Sequence, residues 1–365
     1  MNKLRHIFSA LLNGRRRAII LSLLVYLQTN GQEYPQREWM YNKSLLPAGW
    51  DSTRLEALMK YITDSSYITG LMIVQHGRIA FEYGDIKEVS YIASCRKSIL
   101  SIIYGPWVTS GKIDLQQNLQ SLGINDTGGL LPQEKEATIA DIISARSGVF
   151  HPASYAGDYL NLAPKRGSVR HGVYWLYSNW DFNVAGAIFE KKTGRNIYDE
   201  IERLLAKPLN MQDWQCNLQQ KEGDSTRSWY PAYPMHFSTR DMARIGLLML
   251  NNGKWNHKQL IDSSWIGQMI VPRTSFKEVS DHVPALAALP VQLGYGYMWW
   301  LWQNVSDSRL AGAYSALGSL GQSISIFPAI GVVIAYKTKA IYGRENSLWV
   351  RLNVLKMAVE CYHTN

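Results

Sequence analysis

The sequence of 365 residues predicts an α+β fold, with a mostly antiparallel sheet built from N- and C-terminal segments, flanked by helices, and an inserted helical domain. Residues 69–75 and 78–83 indicate two strands joined by a tight turn at His76-Gly77. Strand patterns return only near the C-terminus, whereas the signals between residues 113 and 290 are mostly helical. A sheet assembled from both ends of the chain follows from this order.

The first helix after the strand pair is expected to begin at Ser94, because apolar residues from position 99 to 103 recur with helical spacing. Pro106 is expected to end or kink this helix. Later in the chain, Ser238-Thr-Arg-Asp241 predicts a capped helix start. Further helices are predicted at residues 137–144, 181–192, 196–206, 242–250 and 347–362.

The late strand signals are of two kinds. Residues 295–302 indicate one short aromatic strand, because Tyr and Trp dominate this stretch. Residues 322–327 and 332–337 flank Pro328-Ala-Ile-Gly331 and predict a second hairpin.

The domain organisation follows from these elements. We expect an α/β domain formed by residues 32–112 and 291–365, and a mainly helical domain formed by residues 113–290. A cleft between the two domains is the expected place for a site.

Charge is concentrated at the N-terminus. The net charge is +9, of which residues 1–31 carry +5 and the rest of the chain +4, and no basic stripe interleaved with aromatic residues occurs. This distribution argues against nucleic-acid binding.

The apolar run 18–27 follows three arginines and is shorter than the ~20 residues that span a bilayer. Residues 1–31 therefore predict a signal peptide and a periplasmic or secreted protein, with an uncleaved membrane anchor as the alternative.

Cysteine and histidine positions give no sign of a metal site. Cys95, Cys216 and Cys361 form neither a disulfide framework nor a ligand cluster, and the eight histidines lack metal-ligand spacing. We expect no metal and no cofactor. Cys95 is interpreted as a packing residue that points away from its neighbours Ser94 and Lys97.

Ser94 and Lys97 form the only Ser-x-x-Lys motif in the chain. A serine hydroxyl is a weak nucleophile until a nearby group takes its proton, and residues three apart share a helix face. At a helix N-terminus, free backbone N–H groups would also favour negative charge on a substrate carbonyl. The alternative is a helix-capping serine followed by a solvated lysine.

Tyr177-Ser178-Asn179 places a phenol and an amide side by side before a predicted helix. With a pKa depressed by a neighbouring ammonium, the Tyr177 phenol could move protons between nucleophile and leaving group. The alternative is an ordinary turn.

The string from Tyr314 to Gln322 has glycines that allow close backbone approach, and an edge strand there would offer a second oxyanion donor. Its alternative is a glycine turn.

In this order, the three motifs resemble those of the serine β-lactamase-related, penicillin-recognising family. The class C-like branch, with its esterases, D-aminopeptidases and 6-aminohexanoate-dimer hydrolases, is the most similar. The resemblance extends over residues 67–340 and implies a β-lactamase/transpeptidase-like fold. Further strings that carry it are Ser110-Gly-Lys-Ile-Asp-Leu115, Ala145-Arg-Ser-Gly148, Pro208-Leu-Asn-Met211 and Phe237-Ser-Thr-Arg-Asp-Met-Ala-Arg244.

The resemblance also implies roles for individual residues. Ser94 would be the nucleophile, Lys97 its base or proton relay, and Tyr177 the partner base that protonates the leaving group. Asn179 would contact the acyl side chain or amide of the substrate. The oxyanion hole would use the backbone N–H of Ser94 and one from Gly318-Ser319, with Ser319 preferred.

One departure from the family pattern bears on the substrate. Where the family has Lys-Thr-Gly or His-x-Gly, this strand has Ala316-Leu317-Gly318, without a cation. A literal Lys192-Thr193-Gly194 is interpreted as the end of a helix. The missing cation removes an obvious partner for the carboxylate of penicillins, which favours ester or amide substrates without that group.

The sequence therefore predicts an exported serine hydrolase that cleaves small esters or amides, short peptides included, through an acyl-enzyme intermediate. The enzymatic alternative is a D-alanyl-D-alanine-type peptidase or a weak β-lactamase. The alternative from a different class is a non-catalytic cell-envelope binding protein.

Overall fold

A computed structural model describes residues 32–42, 49–155, 157–339 and 346–363. The predicted signal segment, residues 1–31, lies outside the described residues. Within those four ranges, no helix combines the length and the apolar character needed to cross a bilayer.

The strands of the described residues are numbered in chain order. They are β1 Met40–Tyr41, β2 Gly70–Gln75, β3 Arg78–Gly84, β4 Ser90–Tyr91, β5 His236–Phe237, β6 Lys254–Trp255, β7 Lys258–Gln259, β8 Gln292–Tyr295, β9 Trp300–Gln303, β10 Tyr314–Gly318, β11 Gln322–Phe327 and β12 Val332–Lys337. Eight of them form one sheet in the order β1-β3-β2-β12-β11-β10-β9-β8. Its pairs are antiparallel except for β1 with β3, which confirms the predicted α+β class.

The α-helices are numbered in the same way. They are α1 Ser52–Ser65, α2 Cys95–Thr109, α3 Ile139–Ile143, α4 Asn179–Thr193, α5 Ile197–Ile201, α6 Thr239–Leu250, α7 Ser263–Met269, α8 Phe276–His282 and α9 Leu348–Glu360. The segment predicted as a helix at 196–206 is α5 continued by a π-helical turn, Glu202–Ala206. The predicted cap of α6 is also present, because the Ser238 side chain accepts from the Asp241 N–H.

Both predicted hairpins are confirmed. His76 and Gly77 have φ of 52° and 80°, the positive values that a two-residue hairpin turn between β2 and β3 requires. β11 and β12 occupy the two predicted segments and pair with each other. β12 then pairs with all six residues of β2. The sheet is thus assembled from both ends of the chain.

The single aromatic strand predicted at 295–302 is wrong, because two strands occupy this region. β8 ends at Tyr295 and β9 begins at Trp300. Between them the Gly296 N–H donates to the Trp299 carbonyl at 2.9 Å, and Met298 has a φ of 61°. Gly296 is a typical turn residue, but Met298 is not, and the aromatic residues on both sides of the turn favour a strand.

The expected end of α2 at Pro106 is also not observed. The helix continues to Thr109, and the Ser110 N–H donates to the Pro106 carbonyl at 3.1 Å. Proline removes only its own N–H donor, so the hydrogen bonds that follow it can persist.

α6 lies against the middle of the sheet, on β2, β11 and β12, although it belongs to the central part of the sequence. The division into an α/β and a helical domain stays a prediction. A glycine allows this close contact: a Cβ on Gly246 would collide with the Val333 side chain and approach Ile324 at 3.1 Å.

Gly246→Ala is therefore expected to lower the free energy of unfolding by about 1–3 kcal/mol, because the extra methyl overpacks the helix–sheet contact. Gly267→Ala in α7 is the matched control, since a Cβ there meets no atom within 4 Å. It should raise stability by about 0.5–1 kcal/mol through helix propensity. Urea denaturation of the two variants measures both, and equal stability would contradict the packing argument.

Candidate active site

Ser94 lies at the N-terminus of α2, directly after a backbone position under strain. It is the N-cap residue, but its side chain makes no capping hydrogen bond. The preceding Ala93 has a φ of 48°, in the left-handed region that alanine seldom adopts. Such strain costs on the order of 1–3 kcal/mol and persists where the surrounding structure holds it. The Ser94 hydroxyl is thus not engaged by the first backbone N–H groups of α2.

The three residues expected to share the chemistry do lie together. Lys97 Nζ is 2.8 Å from Ser94 Oγ and 2.8 Å from Tyr177 Oη. Lys97 is 1% exposed and packs over the rings of Tyr177 and Phe182, with Nζ 4.4 and 4.8 Å from their centroids. No acid of the described residues forms an ion pair with Lys97. The solvated-lysine alternative is thereby excluded.

Burial shifts the pKa values of both Lys97 and Tyr177. It lowers the pKa of Lys97 well below its usual value, the charge of Arg96 lowers it further, and Asp158 opposes both. Burial also raises the pKa of Tyr177, against a smaller lowering effect of the hydrogen bond with Ser94. The depressed phenol pKa considered from the sequence is thus not found. Both directions favour the uncharged forms, the amine of Lys97 and the phenol of Tyr177.

Arg96 precedes Lys97 in α2 and makes contacts of its own. Its guanidinium lies 4.2 Å from the centre of the Tyr233 ring and donates to Asn183 Oδ1 at 3.1 Å. It is buried, and in the described residues no acid pairs with it. The effect of Arg96 on Lys97 is therefore that of its charge, not of a hydrogen bond.

β10 carries the third motif and differs from the expected edge strand. It lies between β9 and β11, but β9 pairs only with Tyr314 and Ser315. On that side no strand of the described residues covers the end of β10 at Gly318. A Cβ on Gly318 would lie 2.6 Å from the Ile92 carbonyl and 3.1 Å from the Ala93 side chain. Glycine is needed here because β10 packs against the backbone that leads into Ser94.

A cavity of about 280 Å³ opens at these residues. Ser94, Tyr177, Gly318 and Ser319 line it, which brings the expected oxyanion donors beside the hydroxyl. The other lining residues are Gly157, Asp158, Tyr159, Trp300, Leu317, Leu348 and Arg351. A larger depression of about 410 Å³, around Lys207 and Trp214, includes none of the predicted site residues.

Aromatic rings form one wall of the cavity. Trp300 stacks on Tyr177 at 5.5 Å between ring centres, and Tyr159 meets Tyr177 edge-on at 6.2 Å. Tyr295 and Phe182 pack behind the Tyr177 ring at 6.0 and 4.9 Å. These contacts fix the phenol and exclude water from its ring.

Asn179 takes a different position from the other predicted residues. It is the first residue of α4, is buried, and does not line the cavity. Its backbone N–H donates to Asp158 Oδ2 at 3.0 Å, and its side-chain amide reaches the Tyr155 carbonyl at 3.4 Å. In this state Asn179 holds the loop that borders the cavity, and its contact with substrate stays a prediction.

Two other interpretations from the sequence are confirmed. Cys95 is fully buried with its thiol 3.5 Å from the Ala316 carbonyl, and burial raises its pKa to about 12. Gly194 ends α4 in the left-handed conformation, so Lys192-Thr193-Gly194 is a helix C-terminus. Across the described ranges, no three His, Cys, Asp or Glu side chains are grouped to hold a metal ion.

Sequence reasoning missed several cavity residues, of which Arg351 is the most informative. It lies on α9, about 7% exposed, and donates through Nη1 to the Gly318 carbonyl. A guanidinium therefore reaches the end of β10 although the strand itself has no cation. Only the predicted amphipathic helix at 347–362 hinted at this residue, and a helical pattern does not tell which element the helix packs against.

Comparison with known proteins agrees with this geometry. The family model described as Beta-lactamase matches residues 66–351. A Bacillus anthracis protein assigned as a 6-aminohexanoate-dimer hydrolase is similar in structure, with a TM-score of 0.64 and 18% identity, over 91% of this chain and 88% of that one.

Two further solved structures are also similar. Simvastatin synthase LovD from Aspergillus terreus has a TM-score of 0.62 at 15% identity, over 84% of this chain and 95% of its own. A family VIII carboxylesterase has a TM-score of 0.60 at 13% identity, over 87% of this chain and 99% of its own. At such identities these likenesses show the fold alone.

Proposed function

This chain belongs to the Beta-lactamase family of serine hydrolases, and we propose that it cleaves small esters or amides through a covalent acyl-enzyme. The observation that carries the proposal is the contact of Lys97 Nζ with both Ser94 Oγ and Tyr177 Oη at the wall of a cavity. A nucleophile, a base and a proton carrier at hydrogen-bond distance are what acyl transfer requires.

In the proposed acylation, Ser94 Oγ attacks the carbonyl carbon while its proton passes to the neutral Lys97 amine. The carbonyl oxygen becomes an oxyanion that accepts from the backbone N–H groups of Ser94 and Ser319. When the intermediate collapses, the bond to the leaving group breaks and Tyr177 gives that group its proton. The Lys97 ammonium then returns a proton to the phenol.

Deacylation reverses these roles with water as the nucleophile. Water gives a proton to the Tyr177/Lys97 pair and attacks the acyl carbon, and Ser94 leaves as the restored hydroxyl. No metal or cofactor takes part in either half of the proposed reaction. The aromatic wall of Trp300 and Tyr159 would bind an apolar part of the substrate.

A D-alanyl-D-alanine-type peptidase or a weak β-lactamase is the second candidate. Arg351 favours it, because substrates of both reactions carry a carboxylate and a guanidinium lines the cavity. A non-catalytic binding protein would have no need for a buried lysine between a serine and a tyrosine.

The test is a panel of p-nitrophenyl esters, p-nitroanilide amides and nitrocefin, with intact-mass detection of the acyl-enzyme. We expect ester or amide turnover and a mass increase equal to the acyl group. Nitrocefin turnover comparable to that of the esters would favour the second candidate. Absence of turnover and of any adduct with a fluorophosphonate or a fluorescent penicillin would contradict the covalent mechanism.

A further inference from the structure

Arg96 is a buried cation one residue before the proposed general base, Lys97. It belongs to the first turn of α2, is 3% exposed, and contacts α4 through its guanidinium. A guanidinium keeps its charge when it is buried, and a buried charge without a counter-ion is costly. An arginine at this position therefore calls for a role that outweighs this cost.

The contacts of the guanidinium are with neutral groups. Nη2 donates to Asn183 Oδ1 at 3.1 Å, and Cζ lies 4.2 Å from the centre of the Tyr233 ring. Nη1 is buried and has no hydrogen-bond partner in the described residues. Asn183 is the informative contact, because its amide oxygen accepts as a carboxylate oxygen would but brings no charge. An aspartate at position 183 would form a buried ion pair and cancel the charge of Arg96.

The titratable side chains near Arg96 supply no counter-ion either. Three of them are phenols whose pKa is raised by burial, so that they stay uncharged: Tyr91, Tyr198 and Tyr233. Two acids, Glu190 and Glu222, act on these phenols, but over the described ranges neither lies within ion-pair distance of Arg96. The positive charge of Arg96 is therefore uncompensated.

Lys97 shares the interior of the protein with this charge. Burial lowers the pKa of Lys97 most, Arg96 lowers it further, and Asp158 and Cys95 raise it. Burial also keeps the Cys95 thiol and the Tyr177 phenol protonated, so these two neighbours are neutral. Asp158, which lines the cavity, is left as the acid that favours a charged Lys97, and Arg96 offsets its effect.

We propose that Arg96 is a positioning residue of the reaction, whose uncompensated charge keeps the Lys97 amine unprotonated and able to accept the Ser94 proton. The proposal rests on the hydrolase function proposed above and adds the group that sets the lower pH limit of acylation. Without this charge, Asp158 would favour the ammonium form, which has no lone pair to take a proton. Asn183 belongs to the same device, because it holds the guanidinium and leaves its charge intact.

The pH dependence of kcat/KM in Arg96→Met tests the proposal, with the best ester of the panel as substrate. We expect the midpoint of the rise in kcat/KM to move to higher pH by about 1 unit. On the acid side of the wild-type midpoint, kcat/KM should then fall about 10-fold, and at high pH the two proteins should converge. A fall of the same size at every pH would show that Arg96 contributes packing alone and would overturn the proposal.

Three further variants separate charge from packing. Asn183→Asp keeps Arg96 and the size of its partner but places a carboxylate on the guanidinium, so it should also move the midpoint to higher pH. Arg96→Lys keeps the charge and should move the midpoint less than Arg96→Met. Arg54→Met removes an exposed arginine and should leave the profile unchanged. An unshifted profile in Asn183→Asp, or an equal shift in Arg54→Met, would contradict the role of Arg96.

A measurement without substrate keeps this proposal distinct from the hydrolase function. In protein labelled with 13C at the ε-carbon of lysine, the NMR signal that is lost in Lys97→Met reports the protonation of Lys97. Its midpoint should lie at higher pH in Arg96→Met than in the wild type. If no ester is turned over and no acyl adduct forms, the hydrolase proposal fails, and this titration still decides the effect of Arg96. Equal midpoints would overturn the inference.

Discussion

Ser94→Ala is expected to lower ester turnover by at least about 10³-fold and to remove the acyl adduct from the intact-mass spectrum. The reason is chemical: without Oγ the Lys97 amine has no hydroxyl to deprotonate, and the carbonyl carbon meets no nucleophile. Turnover of the best ester in the panel and fluorophosphonate labelling measure the effect.

The matched control for this variant is Ser98→Ala, one turn further along α2. The Ser98 hydroxyl is buried and donates to the Met298 carbonyl at 2.5 Å, away from the cavity lining. The Ser98→Ala variant should therefore retain the fluorophosphonate label. A label that persists on Ser94→Ala would show that another residue is the nucleophile.

Lys97→Met is expected to lower kcat/KM by at least about 10²-fold. Loss of a general base lowers rates by about 10²- to 10⁴-fold. Methionine fills a similar volume but cannot take the Ser94 proton, and it leaves the Tyr177 phenol without its nitrogen partner. The pH dependence distinguishes this role from simple packing. In the wild type kcat/KM should rise with pH as Lys97 loses its proton, whereas the residual activity of Lys97→Met should lack that rise.

The free energy of unfolding should also depend on the protonation of Lys97, and it should rise with pH. The pKa of Lys97 is depressed in the folded state, whereas in the unfolded chain it is about 10.4. Between these two values the unfolded state binds more protons, so the free energy of unfolding rises with pH. The contribution is complete above the unfolded value and is lost as the pH falls toward the folded one. Denaturation of wild type and Lys97→Met across pH measures it, and parallel curves would contradict a buried neutral amine.

The sequence was sufficient for the parts of the site that depend on local spacing. Ser94 and Lys97 are three residues apart at a helix start, so their contact follows from helix geometry alone. Tyr177 is 80 residues from Lys97, and only the order of the motifs connected it to the pair. The first hairpin was similarly accessible, because Gly77 lies between two runs of strand-forming residues.

Features that depend on packing between distant elements could not be predicted. The aromatic residues of 295–302 favour a strand, and Gly296 alone did not reveal the turn at Gly296 and Met298. Arg351 looked like any basic residue of an amphipathic helix. Its role depends on how α9 packs against β10, which no local pattern in either segment specifies.

The pairing of β2 with β12 has a consequence for the order of folding. β2 ends at Gln75, yet the strand beside it ends at Lys337, so the centre of the sheet joins residues more than 250 positions apart. Such long-range contacts slow folding, because a long loop must close before they form. During synthesis the helix that bears Ser94 emerges long before the cavity wall that includes Arg351. The nascent chain therefore remains without the complete lining of the cavity around Ser94 until Arg351 has been added.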